Sequence, residues 1–280
     1  MIKKSILIVV LLIILMGVSN VSADGLETLS ILDLYDNTSV YQQGLKGDWG
    51  FSCLIKGTEK TILFDTGQKG SILMNNMKKL NIDPSQIDIV VLSHIHPDHI
   101  GGLNSLLQKN RNLTLYVPQT FFNSKVFIKI IKKYSPKVIA ITGPQLICKY
   151  LYSTGEMNAK IYSSQIKDEG ILVEQSLVIQ TVKGLVVITG CGHPGIIEIL
   201  LKAKKVVPGD LIFIGGGFHL LEQNKEYISQ VVNDFKKLGV RYVGSSHCTG
   251  DLAYKMLQEA YQENHITMGV GKAINLEDLK

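Results

Sequence analysis

A six-residue stretch with four metal-ligating side chains constrains this chain more than any other feature. His94, His96, Asp98 and His99 follow the pattern His-x-His-x-Asp-His, and a Gly-Gly pair comes soon after them. The apolar run 87–92 that precedes them has the length and composition of a buried strand. Ligands at the end of such a strand lie on a loop that a rigid element supports.

Imidazole and carboxylate groups bind zinc, iron and manganese at catalytic sites that keep an open coordination position. On an extended turn, His94 and His96 can share one ion, while Asp98 and His99 face a neighbouring position for a second ion. A single histidine at a strand end is usually structural, but four ligand-type residues within six positions are hard to reach by chance. The motif therefore predicts a site for one or two metal ions, with Zn²⁺ as the first choice and Mn²⁺ or iron as alternatives.

Three further histidines each follow a short apolar strand that ends in small residues. They are His193 after VVITGCG, His219 after IFIGGGF and His247 after VGSS. Glycines at such positions let the backbone turn sharply and approach a bound group. Each histidine alone could be a hydrogen-bonded core residue, but their shared placement predicts one basin at one edge of a sheet sandwich. His265 lies in a polar stretch and is predicted to be an ordinary surface residue.

The first 23 residues have the pattern of a secretory signal peptide. Two lysines precede an apolar run that ends in Val21-Ser22-Ala23, which resembles a cleavage site. We expect cleavage after Ala23 and export of the mature chain to a secreted, periplasmic or cell-surface location. The apolar core is short for a membrane span, so anchoring by an uncleaved segment is the lesser alternative, and no stable membrane insertion is expected after cleavage.

The charge balance argues against a nucleic-acid partner. The whole chain has a net charge of +5, and without the two lysines of residues 1–23 it keeps 27 basic and 24 acidic residues, or +3. Nucleic-acid binding normally needs a dense basic face. We therefore expect a small-molecule substrate, and the composition does not indicate an oligomeric state.

Four cysteines could form two disulfides in an oxidising compartment, but no pairing is favoured. Cys53 lies in an apolar strand and is most simply a small core residue. Cys191 and Cys248 each lie next to a histidine motif, so both are possible thiols of the site.

Apolar periodicity predicts alternating strands and helices. The predicted strands are 28–34, 51–55, 61–64, 87–92, 113–117, 138–141, 146–151, 160–162, 177–182, 185–189, 211–214 and 241–243. The predicted helices are 70–80, 100–107, 121–133, 194–204, 225–238 and 251–261. Two groups of hairpins, each followed by strand–helix units, predict two face-to-face sheets with helices outside, in a single domain over residues 24–280.

Taken together, these motifs resemble the metallo-β-lactamase fold superfamily over essentially the whole mature chain. Within it, the chain is most similar to the branch named for the dihydropterin ribofuranosyl-aminobenzene phosphate synthase. The motifs that carry the closer resemblance are Asp36-Asn37, Gly50-Phe51-Ser52, and residues 63–67, 93–103, 190–193, 216–220 and 247–250.

The resemblance implies an α/β fold, namely an αββα sandwich of two mixed sheets with outer helices and metals at one sheet edge. It implies that the first metal is held by His94, His96 and His193, and the second by Asp98, His99 and His247. Asp65 would orient a ligand or fix its tautomer, although a simple turn residue is an equal alternative.

The chain departs from the superfamily pattern at two places. Many members have a bridging aspartate where this chain has Cys191, which leaves the bridge unassigned and places this thiol beside the ligands. The branch usually has two acids before Gln-x-Leu, whereas this chain has Val173-Glu174-Gln175-Ser176-Leu177, so a substrate contact there is expected to differ.

The functional hypothesis is a metal-dependent hydrolase that uses a metal-activated water on an ester- or phosphate-containing small molecule. Asp98 would orient that water or take a proton, and His219 would donate a proton or bind an anionic group. One alternative is a synthase-like transferase reaction of the branch, against which the predicted export counts. The other is a non-catalytic metal-dependent binding protein.

Overall fold

The computed structural model describes residues 24–37, 41–160 and 172–280. The predicted signal peptide, residues 1–23, lies outside the described residues, as do residues 161 and 162 of one predicted strand. Among the described residues, no helix combines the length and hydropathy needed to cross a membrane.

The described chain alternates between strands and helices. The strands are β1 (Ser30–Tyr35), β2 (Ser52–Lys56), β3 (Ile62–Phe64), β4 (Ile89–Val91), β5 (Thr114–Pro118), β6 (Lys137–Ile141), β7 (Gln145–Cys148), β8 (Leu151–Ser153), β9 (Met157–Asn158), β10 (Val173–Glu174), β11 (Leu177–Thr181), β12 (Gly184–Thr189), β13 (Leu211–Gly217), β14 (Tyr242–Ser246) and β15 (Ala273–Asn275). The helices are α1 (Gly70–Lys79), α2 (Pro97–Ile100), α3 (Leu103–Lys109), α4 (Lys125–Tyr134), α5 (Ile196–Val206), α6 (Lys225–Lys237) and α7 (Asp251–Tyr261).

The strands form two large mixed sheets and a short ribbon. The first sheet has the order β15-β1-β2-β3-β4-β5-β6, and its strands β3 to β6 are parallel. The second sheet has the order β14-β13-β12-β11-β8-β7, and its strands β12 to β14 are parallel. Strands β9 and β10 pair separately as a two-stranded ribbon.

Apolar side chains divide the molecule into four layers. The two sheets face each other across a buried core that includes Ile55, Phe64, Val91, Ile179, Val186 and Phe213. Helices α1, α3 and α4 cover the outer face of the first sheet, and α5 to α7 cover that of the second. Each sheet thus packs one face against the other sheet and the opposite face against helices. This architecture confirms the predicted αββα sandwich.

The parallel strands of the two sheets place the predicted ligands together. The chain leaves β4 just before His94, and it leaves β12, β13 and β14 just before His193, His219 and His247 respectively. Because these are the carboxyl ends of parallel strands, the loops that follow them gather at one edge of the sandwich.

Residues 146–151 do not form the single strand that was predicted. They form a hairpin in which β7 and β8 pair antiparallel, with Lys149 and Tyr150 between them. Tyr150 has a left-handed φ of 65° in this turn. The turn could not be predicted, because apolar residues lie on both sides of it and the turn itself contains no Gly, Pro, Asn or Asp.

The predicted helix 121–133 is shorter at its start. Residues Gln119–Asn123 form a 3-10 turn, and α4 begins only at Lys125. Ser124 ends the turn and caps α4, because its hydroxyl accepts a hydrogen bond of 3.3 Å from the backbone N–H of Phe127. The prediction missed this serine as a helix start.

His265 is not the surface residue that was predicted. Its side chain is buried, and its Nε2 lies 3.1 Å from the Ser245 hydroxyl on β14. The backbone N–H of Ile266 donates to the carbonyl of Val243, so this polar segment packs along a core strand. Local polarity could not reveal that contact.

The four cysteines are buried and carry free thiols. Cys53 lies in the core between the sheets, as predicted, and Cys148 lies at the end of β7. Cys191 and Cys248 lie instead in the loops at the carboxyl ends of the parallel strands, where the histidines lie.

Candidate metal centre

The loop between β4 and α3 packs directly against the segment that follows β3. A Cβ atom at Gly101 would overlap the carbonyl oxygen of Gln68, and one at Gly102 would overlap that of Thr66. The Gly-Gly pair is therefore needed for this close approach, which holds the ligand loop against the first sheet.

His94, His96 and His193 form a first ligand group. Nε2 of His94 lies 3.0 Å from Nδ1 of His96, and the His193 ring lies 4.8 and 4.9 Å from the other two rings. Two nitrogens bound to one tetrahedral zinc lie roughly 3.4 Å apart, given Zn–N distances of about 2.0–2.1 Å. The spacing of this group therefore fits three ligands of one ion.

Asp98, His99, Cys191 and His247 form a second ligand group. Oδ2 of Asp98 lies 3.5 Å from Nε2 of His99 and 3.2 Å from Nε2 of His247. Nε2 of His99 in turn lies 3.3 Å from Nε2 of His247 and 3.2 Å from Sγ of Cys191. The geometry adds this thiol to the predicted ligand set, so Cys191 lies among the ligand atoms instead of beside them.

Hydrogen bonds that Asp65 accepts orient ligands of both groups. Its Oδ2 accepts 2.7 Å hydrogen bonds from Nδ1 of His99 and from the hydroxyl of Ser93. The Ser93 oxygen lies 2.8 Å from Nδ1 of His94 and, having given its own hydrogen to Asp65, accepts there. Because both Nδ1 atoms carry hydrogens, the Nε2 atoms of His94 and His99 are the ones directed to a metal.

Asn37 orients the third histidine of the second group. Its Oδ1 accepts a 2.9 Å hydrogen bond from Nδ1 of His247, and its Nδ2 donates to the backbone carbonyl of the same residue at 3.3 Å. The amide therefore fixes both the tautomer and the position of this ring. Asn37 was part of the resemblance but was not predicted as a site residue.

Glu174 holds the loop that carries Cys191 and His193. Its buried carboxylate accepts hydrogen bonds of 2.9, 2.9 and 2.8 Å from the backbone N–H groups of Cys191, Gly192 and His193, and one of 3.0 Å from the Thr189 hydroxyl. Glu174 was expected to affect a substrate contact, whereas here its contacts are to the ligand loop.

The pKa values of the site histidines shift in opposite directions, because burial lowers some of them and neighbouring carboxylates raise another. Burial holds the pKa of His94 well below its usual range and lowers that of His96 to about 3, with the neighbouring imidazoles acting in the same direction. Burial also opposes protonation of His99, but Asp98 and Asp65 outweigh it and raise its pKa. The same contacts, together with His247, keep the pKa of Asp98 below its usual range despite burial. His94 and His96 are therefore neutral and ready to bind a metal, while His99 must release a proton first.

Three residues of the site have left-handed backbone conformations. Asp65, His219 and His247 have φ values of 57°, 51° and 48°. Such conformations are unfavourable for residues other than glycine, and they persist where surrounding contacts hold them. Their concentration at one edge indicates that the fold stabilises this arrangement of side chains at a local cost.

The predicted site residue His219 belongs to neither group but contacts one residue of each. Its ring packs against His193 with a centroid distance of 4.2 Å, and one of its ring nitrogens approaches the thiols of Cys191 and Cys248. No described contact ties it to Asp98, the other residue for which a catalytic role was predicted.

The donor atoms fit a divalent transition metal. Buried imidazole nitrogens point at one another in both groups, a carboxylate and a thiol complete the second, and hydrogen bonds orient three of the rings. Imidazole, carboxylate and thiolate together suit zinc, with iron and manganese as alternatives for the nitrogen and oxygen donors.

Comparison with known proteins agrees with the fold. Residues 49–223 match the family model described as the Metallo-beta-lactamase superfamily. The chain belongs to this superfamily. The matched range begins before β2 and extends beyond β13, so it contains every ligand except His247.

Relatives within the superfamily match over nearly the whole chain. The 7,8-dihydropterin-6-methyl-4-(beta-D-ribofuranosyl)-aminobenzene-5'-phosphate synthase of Methanocaldococcus jannaschii is 28% identical, over 89% of this chain and 97% of its own. An uncharacterised protein of the same organism is 30% identical, over 87% and 98%. The crystal structure of a metal-dependent hydrolase of the beta-lactamase superfamily is 27% identical, with a TM-score of 0.71 over 88% and 98%. These matches confirm the predicted resemblance to the superfamily and to the synthase branch.

Proposed function

We propose that this protein is a metal-dependent hydrolase that acts on an ester- or phosphate-containing small molecule. The observation that carries the proposal is the pair of adjacent ligand groups, His94/His96/His193 and Asp98/His99/Cys191/His247. The likeness to a metal-dependent hydrolase over 88% of the chain supports it.

The chain's own groups define what such a centre can do. When bound, zinc ions polarise a substrate oxygen and lower the pKa of coordinated water to about 7. Asp98 remains ionised because His99 and His247 hold its pKa low, so its carboxylate can accept a hydrogen bond from a water or a substrate hydroxyl. Its side chain is 15% exposed, which leaves this acceptor within reach of a ligand from solution. A proton-donor role for His219 stays a prediction.

The decisive experiment is a substrate panel with purified protein loaded with Zn²⁺ or Mn²⁺. We expect turnover of a phosphodiester, phosphomonoester or carboxyl ester that a chelator abolishes and added metal restores. His96→Ala and Asp98→Asn should abolish this turnover, whereas Asp210→Asn, at an exposed acid away from the centre, should retain it. Unchanged turnover in His96→Ala would contradict the proposal.

A synthase-like transferase reaction is the second candidate. It is supported by 28% identity to the methanogen synthase over 89% of this chain. Formation of a new bond between a phosphate-bearing donor and an aromatic acceptor, without hydrolysis across the panel, would favour this candidate. Metal binding in stoichiometric amounts without turnover of any kind would favour a metal-dependent binding protein.

We further propose that the mature protein is exported after cleavage behind Ala23. Lys3, Lys4 and the apolar run support this localisation. Sequencing the amino terminus of the protein isolated from its own cells should give Asp24. A retained Met1 would contradict cleavage.

A further inference from the structure

A third cluster of ligand-type side chains adjoins the two groups. Cys191, His219 and Cys248 follow the neighbouring parallel strands β12, β13 and β14, and their sulfur and nitrogen atoms all lie within 4.8 Å of one another. Both cysteines are nearly fully buried, with 3% and 4% of their surfaces exposed. The resemblance assigned no ligand role to Cys248.

The backbone is shaped to bring the two thiols together. The Cys248 thiol donates a 3.3 Å hydrogen bond to the backbone carbonyl of Cys191. A Cβ atom at Gly217 would lie 2.7 Å from Sγ of Cys248, so this approach requires glycine at the end of β13.

One nitrogen of the His219 imidazole is available to a ligand. Its Nδ1 is buried and makes no hydrogen bond to any residue that the structure describes. The residue also has a left-handed φ of 51°, which is unfavourable for histidine. A buried nitrogen without a hydrogen bond costs free energy, so a strained histidine that presents one beside two thiols fits the role of a metal ligand.

We propose that Cys191, His219 and Cys248 form a third metal subsite for a thiophilic divalent cation such as zinc. Two thiolates and one imidazole are a known zinc donor set that keeps a fourth position open. The two thiols lose their protons to solvent on binding, and the resulting charges are neutralised by the dication. Cys191 is common to this subsite and the second group, so its thiolate bridges two ions. Metal ligation by His219 in this subsite is an alternative to its predicted role as a proton donor.

The subsite can be tested by metal content, independently of any substrate. Under reducing conditions that keep the thiols free, zinc-saturated protein should hold one more ion per chain than Cys248→Ser. His219→Gln should lose the same ion, so the result does not depend on how one variant folds. Cys148→Ser is the matched control, because it removes a buried thiol far from the centre and should leave the metal content unchanged.

Cobalt provides a spectroscopic readout of the same ligands. Thiolate-to-cobalt charge-transfer absorption should fall by about two thirds in Cys248→Ser, because the bridging Cys191 and Cys248 make three thiolate–cobalt bonds in the parent and only the bond from Cys191 to the second group remains in the variant. Equal, non-zero metal content in the parent, Cys248→Ser and His219→Gln would overturn the third subsite and leave the two-group centre intact. A parent protein that binds no metal would overturn both proposals.

Discussion

Asp65 accepts a 2.7 Å hydrogen bond from Nδ1 of His99 on one carboxylate oxygen, and the same oxygen accepts from Ser93. Through the Ser93 hydroxyl it also fixes His94, which belongs to the other ligand group. One buried carboxylate thus sets the tautomers of histidines in both groups. Outer partners of this kind commonly change metal affinity about 10–100-fold when removed.

We expect Asp65→Asn to weaken zinc binding at both groups by about 10–100-fold. The new amide would offer a donor where His99 and Ser93 both need an acceptor. Ser93→Ala should weaken only the group that contains His94. Competition with a chromophoric chelator measures both affinities, and equal losses in the two variants would contradict the coupling through Asp65.

The opposite pKa shifts of His94 and His99 predict different pH limits for the two groups. A proton must leave His99 before metal binds, so affinity of the second group should fall up to about tenfold per pH unit below that pKa. The pKa of His96 is about 3 and that of His94 is also well below its usual range, so protons compete for these two ligands of the first group only at much lower pH.

The two limits can be separated with variants that each disable one group. His96→Ala leaves only the second group intact, and His247→Ala leaves only the first. When both are made in Cys248→Ser, which removes the proposed third subsite, His96→Ala should lose its zinc at a higher pH than His247→Ala. Metal content after equilibrium dialysis across a pH series provides the measurement. Coincident loss curves would refute the prediction.

The histidine and aspartate ligands and one orienting residue, Asp65, could be predicted from sequence, whereas the orienting residues Asn37 and Glu174 and the place of Cys191 among the ligand atoms could not. His193 and His247 were predicted because strand, small residues and histidine are adjacent in the chain. Asn37 lies 210 positions from the ring that it orients, and Glu174 lies 17 to 19 positions from the amides that it binds. Such partners are set by tertiary packing, which leaves no local pattern.

The same distinction explains the fold predictions. Strands β4 and β12 were predicted because continuous apolar runs are typical of strands buried on both faces. The turn at Tyr150 was missed because a tyrosine there gives no turn signal, and the burial of His265 was missed because it depends on β14. The two-sheet architecture was robust to both errors, since it follows from the order of hairpins and strand–helix units.

Glu174→Gln should destabilise the fold and loosen the first ligand group. The replacement amide would face the backbone N–H of His193 with a donor, leaving a buried N–H without its charged acceptor, at a cost of about 2 kcal/mol. Denaturant unfolding and zinc affinity measure the two effects. Glu198→Gln alters an exposed ion pair with Lys160 and should change stability by less than about 0.5 kcal/mol. A similar small change in both variants would contradict the role of Glu174.

Asp33→Asn should stabilise the protein at neutral pH. Burial raises the pKa of Asp33, and the nearby carboxyl of Asp36 raises it further. The folded state therefore holds this proton more tightly than the unfolded state, and stability falls by up to about 1.4 kcal/mol per pH unit as pH rises from the unfolded pKa through the folded pKa. Asparagine has no proton to lose, so the unfolding free energy of the variant should not decline over this pH range. Parallel pH curves for the parent and the variant would contradict this.

Trp49 should report metal binding at the second group. It is the single tryptophan of the chain, and its ring lies 4.8 Å from the ring of His247. The backbone N–H of Trp49 donates a 2.9 Å hydrogen bond to Oδ1 of Asp48, and 41% of the surface of Trp49 is exposed. Co²⁺ bound to His247 would lie close enough to quench the indole, so tryptophan emission should fall with a saturable dependence on Co²⁺. His247→Ala should shift that curve to higher concentration, whereas His96→Ala should shift it less. Tryptophan emission that stays unchanged at saturating Co²⁺ would show that the second group does not bind the ion.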